Sequence, residues 1–269
     1  MRFDCISILL GVGILAALPV RSTAQTPPYA DRVSRGGDVT PAYEGWRRNS
    51  DGTFTMYFGY MNRNYEEELD IPIGPDNNVD PGGDRSQPTH FYPRRNRFRF
   101  TVAVPKDWGL ERKVVWSLTI RGKTNAAKGW LQPEWEINDE IMMMNSAGGA
   151  DVQNKPPVVE GPGPQTVTLP NTLRLTAVAE DDGHPNPKRV AVDPEGNSIG
   201  GQGLSVRWIH YRGPAGVTFS PGTAAAGYQK PVEAATTVRF KSPGVYVLRA
   251  IASDGSLETF HDVTVTVQR

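Results

Sequence analysis

The sequence contains almost no cysteine. Cys5 is the one cysteine among 269 residues, and it precedes an apolar N-terminal segment that we expect to be removed. The mature chain then has no thiol, which excludes disulfides, zinc-thiolate sites and cysteine nucleophiles. An exported chain without cysteine is more typical of the bacterial periplasm or exterior than of a eukaryotic disulfide-stapled ectodomain.

The sequence also lacks a charge excess and the common catalytic motifs. Its formal net charge is +0, so it has no global positive field to attract nucleic acid or anionic lipid. The four histidines form no H-E-x-x-H pair, and neither a G-x-S-x-G elbow nor a phosphate-binding loop occurs. These absences favour a protein that is not an enzyme and does not bind nucleic acid.

The N-terminus has the features of an export signal. Arg2 is followed by the apolar run "ISILLGVGILAALPV" at 6–20, and "STA" at 22–24 predicts cleavage after Ala24. A membrane anchor is the alternative, but the run is shorter than the roughly 20 residues that span a bilayer. We therefore expect an exported protein, periplasmic or extracellular, with no membrane span in the mature chain.

The composition and the hydrophobic pattern predict an all-β fold. Glycine and proline are abundant, at 28 and 23 residues, which favours turns and short strands. Period-two alternation indicates strands in "TFTMYFGYM" (53–61), "RFRFTVAV" (97–104) and "KVVWSLTIR" (113–121). The predicted inward-facing side chains are Phe54, Met56, Phe58, Tyr60, Phe98, Phe100, Val102, Val104, Val114, Trp116, Leu118 and Ile120, with Arg97, Arg99 and Thr101 facing outward.

The predicted architecture is two antiparallel β-sandwich, immunoglobulin-like domains after a cleaved signal peptide. A Gly/Pro-rich segment separates two strand-rich halves and predicts the domain boundary. The predicted divisions are a signal peptide at 1–24, a flexible leader at 25–41, an N-terminal sandwich at 42–144, a linker at 145–165 and a second sandwich at 166–269.

The second half resembles the polycystic-kidney-disease (PKD)-like branch of the immunoglobulin-like sandwiches. The resemblance rests on "PPVVEGPGPQTVTL" (156–169), "LSVRWIHYRGPAGVTFS" (204–220) and above all "PGVYVLRAIASDG" (243–255). Trp208, in mid-strand, is expected to be buried against the opposing sheet, and Tyr246 to form a corner through its hydroxyl. "FGYMNRNYEEELDIPIGPDNN" (58–78) resembles the N-terminal part of exported bacterial proteins, which implies no activity.

The segment "GPDNNVDPGGDRSQPTHFYPRRNR" (74–97) contains the candidate metal ligands. Asp76, Asn78 and Asp80 are spaced i, i+2, i+4, and Asp84 follows, so their oxygen atoms are candidate ligands of Ca²⁺. The alternative is that these residues build successive turns, because the glycine and glutamate of a helix-loop-helix calcium loop are missing. The same two interpretations apply to "EDDG" (180–183). Ca²⁺ is the single cofactor predicted.

Two charged clusters have both structural and functional interpretations. The first is basic and predicts either a polyanion site or cross-strand pairing with the acids at 66–70; it comprises Arg94, Arg95, Arg97 and Arg99. The second is acidic and predicts either a solvated edge or a paired-carboxylate active site; it comprises Glu134, Glu136, Asp139 and Glu140.

The sequence therefore predicts a non-enzymatic binding, adhesion or structural module of the bacterial cell envelope or exterior. Its expected partner is a protein or a glycan at the cell surface. One alternative is a carbohydrate-binding module that uses aromatic residues of the first half, since exposed aromatics stack on sugar rings; these are Trp46, Tyr57, Tyr65, Phe91, Tyr92, Trp108, Trp130 and Trp135. The other is a cell-envelope enzyme whose N-terminal domain is catalytic.

Overall fold

Antiparallel strands make up nearly all the regular structure of the computed structural model, which describes residues 33–146, 151–186, 191–192, 198–199 and 203–269. The predicted signal peptide and residues 25–32 of the predicted leader lie outside the described residues. Within the described ranges, no helix is long and apolar enough to cross a bilayer.

The first half contains eight strands and two short helices. The strands are β1 (Val39–Arg48), β2 (Phe54–Asn62), β3 (Leu69–Asp70), β4 (Asn77–Asp80), β5 (His90–Phe91), β6 (Arg94–Val104), β7 (Val114–Ile120) and β8 (Lys123–Gly129). A 3-10 helix (Pro133–Trp135) and α1 (Asp139–Met144) follow them. Strand β8 ends at Gly129, because its hairpin partner β7 pairs only that far.

The strands of the first half form three small sheets around one core. The sheets have the orders β1-β2-β6, β4-β7-β8 and β3-β5. The inward faces predicted for β2 and β7 are confirmed: their alternate side chains are buried in one apolar cluster. Strand β4 lies inside the segment predicted as turns, where Val79 is fully buried opposite Trp116.

A bulge in β6 makes the alternation prediction wrong at Phe98 and Arg99, whereas Phe100, Val102 and Val104 face inward as predicted. Phe58 pairs with Phe100 and Tyr60 pairs with Asn96, so Arg97–Arg99 lie opposite Gly59 alone. Phe98 has a φ of 53° and is half-buried, whereas Arg99 turns inward and is buried. A side chain at Gly59 would collide with Glu44 and the β6 backbone. Extra residues in a strand re-aim side chains, which explains the reversal.

The second half contains strands β9 to β19. They are β9 (Val158–Glu160), β10 (Gln165–Thr168), β11 (Leu173–Glu180), β12 (Ala191–Val192), β13 (Ser198–Ile199), β14 (Leu204–Arg212), β15 (Val217–Ser220), β16 (Ala225–Gly227), β17 (Val232–Phe240), β18 (Gly244–Ser253) and β19 (Glu258–Gln268). A five-stranded sheet (β10-β19-β18-β14-β16) and a four-stranded sheet (β15-β17-β11-β9) enclose a second core. Strand β9 lies within the segment predicted as linker.

The second half is an immunoglobulin-like sandwich, as its residues predict. Trp208 is buried, and its indole N–H donates to the Ala234 carbonyl of the opposing sheet at 2.9 Å. The Tyr246 hydroxyl donates to the Ser242 carbonyl at 2.7 Å, which is the expected tyrosine corner. The interface of its two sheets is built from alternate residues of β18, all fully buried.

The two halves are joined by specific contacts within one compact unit, Val33–Arg269. Strand β14 has a bulge between His210 and Arg212, and Tyr211 there packs into the apolar core of the first half. The Tyr211 hydroxyl donates to the Ser86 carbonyl at 2.6 Å, and the Thr89 amide donates to the Tyr211 carbonyl at 3.1 Å. A buried aromatic with satisfied polar groups fixes the position of one sandwich against the other.

Candidate functional site

A cleft of about 630 Å³ lies where the two sandwiches meet. One wall is the β6 bulge at 97–99, another is the turn between β18 and β19, and helix α1 closes one end. The bulge supplies Arg97 and Phe98 as exposed and half-exposed side chains. The volume lies in the range of small-molecule sites, roughly 300–1,000 Å³.

The side chains that line the cleft carry more positive than negative charge. Five arginines and two acids contribute to the lining, which gives a local excess of three positive charges; they are Arg47, Arg95, Arg97, Arg99, Arg249, Asp139 and Glu258. Behind this lining, Glu44 pairs with Arg95 and Asp262 pairs with Arg249. Within the described part of the chain, Arg97 has no ion-pair partner.

Arg99 is one of two buried arginines of the cleft, with Arg249, and its hydrogen-bonding capacity is only partly used. Its Nη2 atom lies 2.9 Å from Glu258, but its Nε and Nη1 atoms are buried and have no hydrogen-bond partner among the described residues. An unpaired buried donor of a charged group costs about 1–3 kcal/mol or more. Because these two nitrogen atoms are shielded from the open cleft, an anion in the cleft reaches them only if the surrounding side chains move.

Arg249 fixes the floor of the cleft by joining both sandwiches. Its guanidinium forms two hydrogen bonds to Asp262, at 2.6 and 2.8 Å, and donates to the Arg99 carbonyl at 2.5 Å. It also lies 3.5 Å from the centre of the Tyr211 ring. Burial would lower the pKa of Arg249, but its bonds to Asp262 and Tyr211 raise it above the usual value. This arginine is thus held as a charged structural element.

Aromatic rings accompany the cations. Phe98 and Tyr57 line the cleft and meet edge to face, with ring centres 6.1 Å apart. Phe260 lies beneath the guanidinium of Arg249 at 4.6 Å. A cleft that combines unsatisfied arginine donors with half-exposed rings matches a ligand with an anionic group and an apolar face.

The calcium ligands predicted from the sequence are placed along a strand and at the turn that follows it. Asp76, Asn78 and Asp80 lie on or beside β4, on its outward face. Asp84 accepts from the Ser86 amide and pairs with Arg212 of the second sandwich at 2.7 Å. Burial raises the pKa of Asp84, but the Arg212 bond outweighs it and lowers the pKa. Calcium binding there stays a prediction.

The acids of "EDDG" lie in a turn against the second sandwich. Asp181 accepts from the Gly183 amide, and Asp182 accepts from the His184 and Lys155 amides. Burial, together with the nearby carboxylates of Asp254 and Asp182, raises the pKa of Asp181. These backbone hydrogen bonds are what a tight turn requires, and the calcium alternative remains a prediction.

The two charged clusters have different partners from those predicted. The basic residues do not pair with the acids at 66–70: Arg95 binds Glu44, Arg99 binds Glu258, and Arg94 covers the Tyr65 ring at 3.9 Å. The cross-strand prediction was wrong because the bulge turns this segment toward the second sandwich. Of the four acids at 134–140, Asp139 lines the cleft, where Arg47 pairs with it.

Most of the aromatic residues proposed for sugar binding are part of the structure's interior. Trp46, Phe91 and Trp108 are buried, and Tyr92 and Trp130 are half-buried. Tyr57 lines the cleft, while Tyr65 and Trp135 are exposed elsewhere. The rings that line the cleft are those of Tyr57, Phe98, Phe100, Tyr211 and Phe260, and of these only Tyr57 was proposed for sugar binding.

Sequence reasoning also missed the residues that come together across the junction. Asp70, His90 and His210 are the one group of three histidine or acidic side chains in the described residues whose ligand atoms lie within 4.8 Å of one another. His90 and His210 are separated by 120 positions, so no local motif connects them. The one sequence signal is His210 in the strand "LSVRWIHY", where a polar residue directly follows the apolar pair Trp208 and Ile209.

Comparison with known proteins adds no family. No protein-family model and no curated protein matches the chain. Among solved structures it is similar to the D00-D0 domain of intimin, at 11% identity and a TM-score of 0.27, covering 86% of this chain and 100% of that chain.

Two further solved structures give similar values. Fibronectin(III)-like modules of Clostridium thermocellum CbhA have 12% identity and a TM-score of 0.25, covering 86% of this chain and 94% of that chain. Domains 4 and 5 of the S-layer protein SbsC have 13% identity and a TM-score of 0.24, covering 86% and 98%. TM-scores this low contribute no argument about function.

Proposed function

We propose that this chain is an exported, non-enzymatic binding module of the bacterial cell envelope or exterior, and that its cleft binds an acidic glycan. The observation that carries the proposal is Arg97 at the β6 bulge, an exposed guanidinium in the lining of the cleft that has no ion-pair partner among the described residues. Export and the PKD-like assignment of the second sandwich belong to the same proposal and rest on the sequence.

The chemistry of the cleft favours a carboxylated sugar over a neutral one. An arginine fork binds a carboxylate with two parallel hydrogen bonds, and aromatic rings stack on the apolar face of a sugar. Phe98 is held next to both arginines by the bulge, so ring and cations face the same space. A neutral sugar would leave the exposed guanidinium of Arg97 without an anionic partner.

The rigid junction supports a binding role. Tyr211 and Arg249 fix one sandwich against the other through buried hydrogen bonds, so the walls of the cleft do not have to be ordered when a ligand binds. A preformed site avoids part of the entropic cost of association.

Binding of an oligogalacturonate and of its neutral, methyl-esterified counterpart tests the proposal by titration calorimetry. We expect the acidic sugar to bind at low ionic strength and the neutral one to bind at least tenfold more weakly. Arg97→Gln is expected to weaken binding about tenfold, because a charge-assisted hydrogen bond contributes roughly 1.5–3 kcal/mol. Arg97 is exposed, so the variant should fold as the wild type does.

Arg174→Gln is the matched control, because Arg174 is exposed on β11, away from the cleft. Equal binding of the two sugars, or an equal loss in both variants, would show that the cleft is not the site. Release of shortened sugar by the purified protein would instead support the enzyme alternative.

A further inference from the structure

A second site lies at the junction of the two sandwiches, on different residues from the cleft. Asp70 on β3 and His90 on β5 belong to the first sandwich, and His210 on β14 belongs to the second. One ligand atom from each lies within 4.8 Å of the others. The imidazole rings of His90 and His210 face each other, with centres 4.7 Å apart.

His210 is a buried side chain without a polar partner. It is 2% exposed, and neither Nδ1 nor Nε2 has a hydrogen-bond partner among the described residues. The backbone N–H of His210 donates to the Tyr92 hydroxyl at 3.0 Å, so the atoms that lack a partner are the two ring nitrogens. Burial and the neighbouring His90 lower the pKa of His210 to about 4.

His90 is held by a carboxylate on each side of its ring. Its Nδ1 atom lies 2.8 Å from Asp70 Oδ1, and its Nε2 atom lies 3.1 Å from Glu68 Oε2. Both ring nitrogens of His90 are therefore engaged, and a metal ion that binds Nδ1 has to displace the proton between Nδ1 and Asp70. Metal-binding histidines very often have one ring nitrogen on the metal and the other against a carboxylate.

We propose that Asp70, His90 and His210 bind a divalent transition-metal ion of the Zn²⁺ type, with Glu68 orienting the His90 ring. Two imidazoles and one carboxylate form a ligand set that suits Zn²⁺ and is poorly suited to Ca²⁺ or Mg²⁺, which prefer oxygen ligands. The three ligands leave one position for water, as in open zinc sites.

The geometry needs only a small adjustment around the ion. Ligand atoms about 2.0–2.2 Å from a tetrahedral Zn²⁺ are about 3.3–3.6 Å apart, so the widest pair has to approach by roughly 1 Å. Asp70 and Glu68 are 33% and 50% exposed. They can move and they open the site to solvent, while the two histidines are fixed by packing.

The consequence of binding is a bridge between the sandwiches. Because the ligands come from both halves, the ion adds a cross-link beside the Tyr211 contact. A ligand that binds only the folded state stabilises it in proportion to the logarithm of its concentration above Kd. Zn²⁺ should therefore raise the melting temperature of the whole chain.

The test uses the untagged full-length mature protein, stripped with a chelator and titrated with Zn²⁺ or Co²⁺. We expect about one equivalent of Zn²⁺ to bind at micromolar concentration and to raise the melting temperature. Co²⁺ should give the intense visible absorption of a tetrahedral site. Mg²⁺ and Ca²⁺ should neither bind at these residues at micromolar concentration nor raise the melting temperature through them. Asp70→Asn and His90→Gln should weaken Zn²⁺ binding at least tenfold, and Glu68→Gln should weaken it about tenfold.

His261→Gln is the matched control, because His261 contacts the Pro162 carbonyl far from these ligands in sequence. Because His210 is buried, His210→Gln tests the site only if the variant has a native circular dichroism spectrum. If it does not, Asp70→Asn provides the test, because this side chain is exposed and its replacement should not disturb folding. Absence of stoichiometric Zn²⁺ binding, or binding that survives unchanged in Asp70→Asn and His90→Gln, would overturn the proposal. It would leave a metal-free carboxylate–histidine cluster, and the cleft would be unaffected.

Discussion

The two sandwiches fill their cores with different kinds of side chain. The first half stacks large rings: Trp116 meets Phe58, Phe91 and Phe100 at centroid distances of 4.8 to 6.4 Å. The second half brings its sheets together over small residues and few rings; its fully or almost fully buried alanines are Ala177, Ala179, Ala250 and Ala252.

Sheet size accounts for this difference. The sheets of the first half have only two or three strands, so each sheet offers little aliphatic surface to the core. Large aromatic rings fill the space between these sheets. The second half has sheets of four and five strands that can approach closely where the side chains are small. We therefore expect substitutions by smaller side chains to destabilise the first core most, and substitutions by larger side chains to destabilise the second core most.

The largest effect is expected from Trp116→Ala in the first core. Trp116 is fully buried, and its indole N–H donates to the Asn77 side chain at 3.0 Å. Removing the ring leaves a cavity and an unpaired amide, so we expect the free energy of unfolding to fall by about 3–5 kcal/mol. Urea unfolding followed by circular dichroism measures the change.

Trp135→Ala is the control, because Trp135 is 42% exposed. Trp135→Ala should lower the free energy of unfolding much less than Trp116→Ala does. Similar losses in the two variants would contradict the view that the aromatic cluster holds the first half together.

The converse change, Ala250→Leu, adds volume to the second core and is expected to lower the free energy of unfolding by about 1–3 kcal/mol. Ala250 is fully buried and pairs with Trp208 on the neighbouring strand, so the added atoms have to displace core side chains. Ala226→Leu adds the same atoms at an exposed position of β16 and should be nearly neutral. A neutral Ala250→Leu in urea unfolding would mean that the second core has spare volume.

The sequence predicts the second half better than the first because its strands are long and regular. Every residue pair from Gly244–Val267 to Ser253–Glu258 follows one register, and alternation alone then finds the core. Trp208 and Tyr246 were both placed correctly from the resemblance to immunoglobulin-like sandwiches.

Bulges explain what could not be predicted at the cleft and the junction. A prediction from period-two alternation assumes that each residue of a strand pairs with one residue of its neighbour. This assumption fails in β6, where Arg97–Arg99 lie opposite Gly59, and in β14, where Tyr211 is the extra residue. Those irregularities are what direct Arg99 and Tyr211 into the space between the sandwiches. Contacts between residues more than 100 positions apart, such as Arg249 with Arg99, carry no local sequence signal.

The smallest expected effect comes from Tyr246→Phe, which removes one hydroxyl from the tyrosine corner of the second half. The ring stays against Phe240, at 4.8 Å between centres, and only the hydrogen bond to the Ser242 carbonyl is lost. A hydrogen bond of this kind contributes about 1 kcal/mol, so the urea midpoint should fall slightly with an unchanged slope. Tyr228→Phe, at an exposed ring, should leave the midpoint unchanged. A larger loss than that of Ala250→Leu would show that the corner, and not the alanine interface, limits the stability of this sandwich.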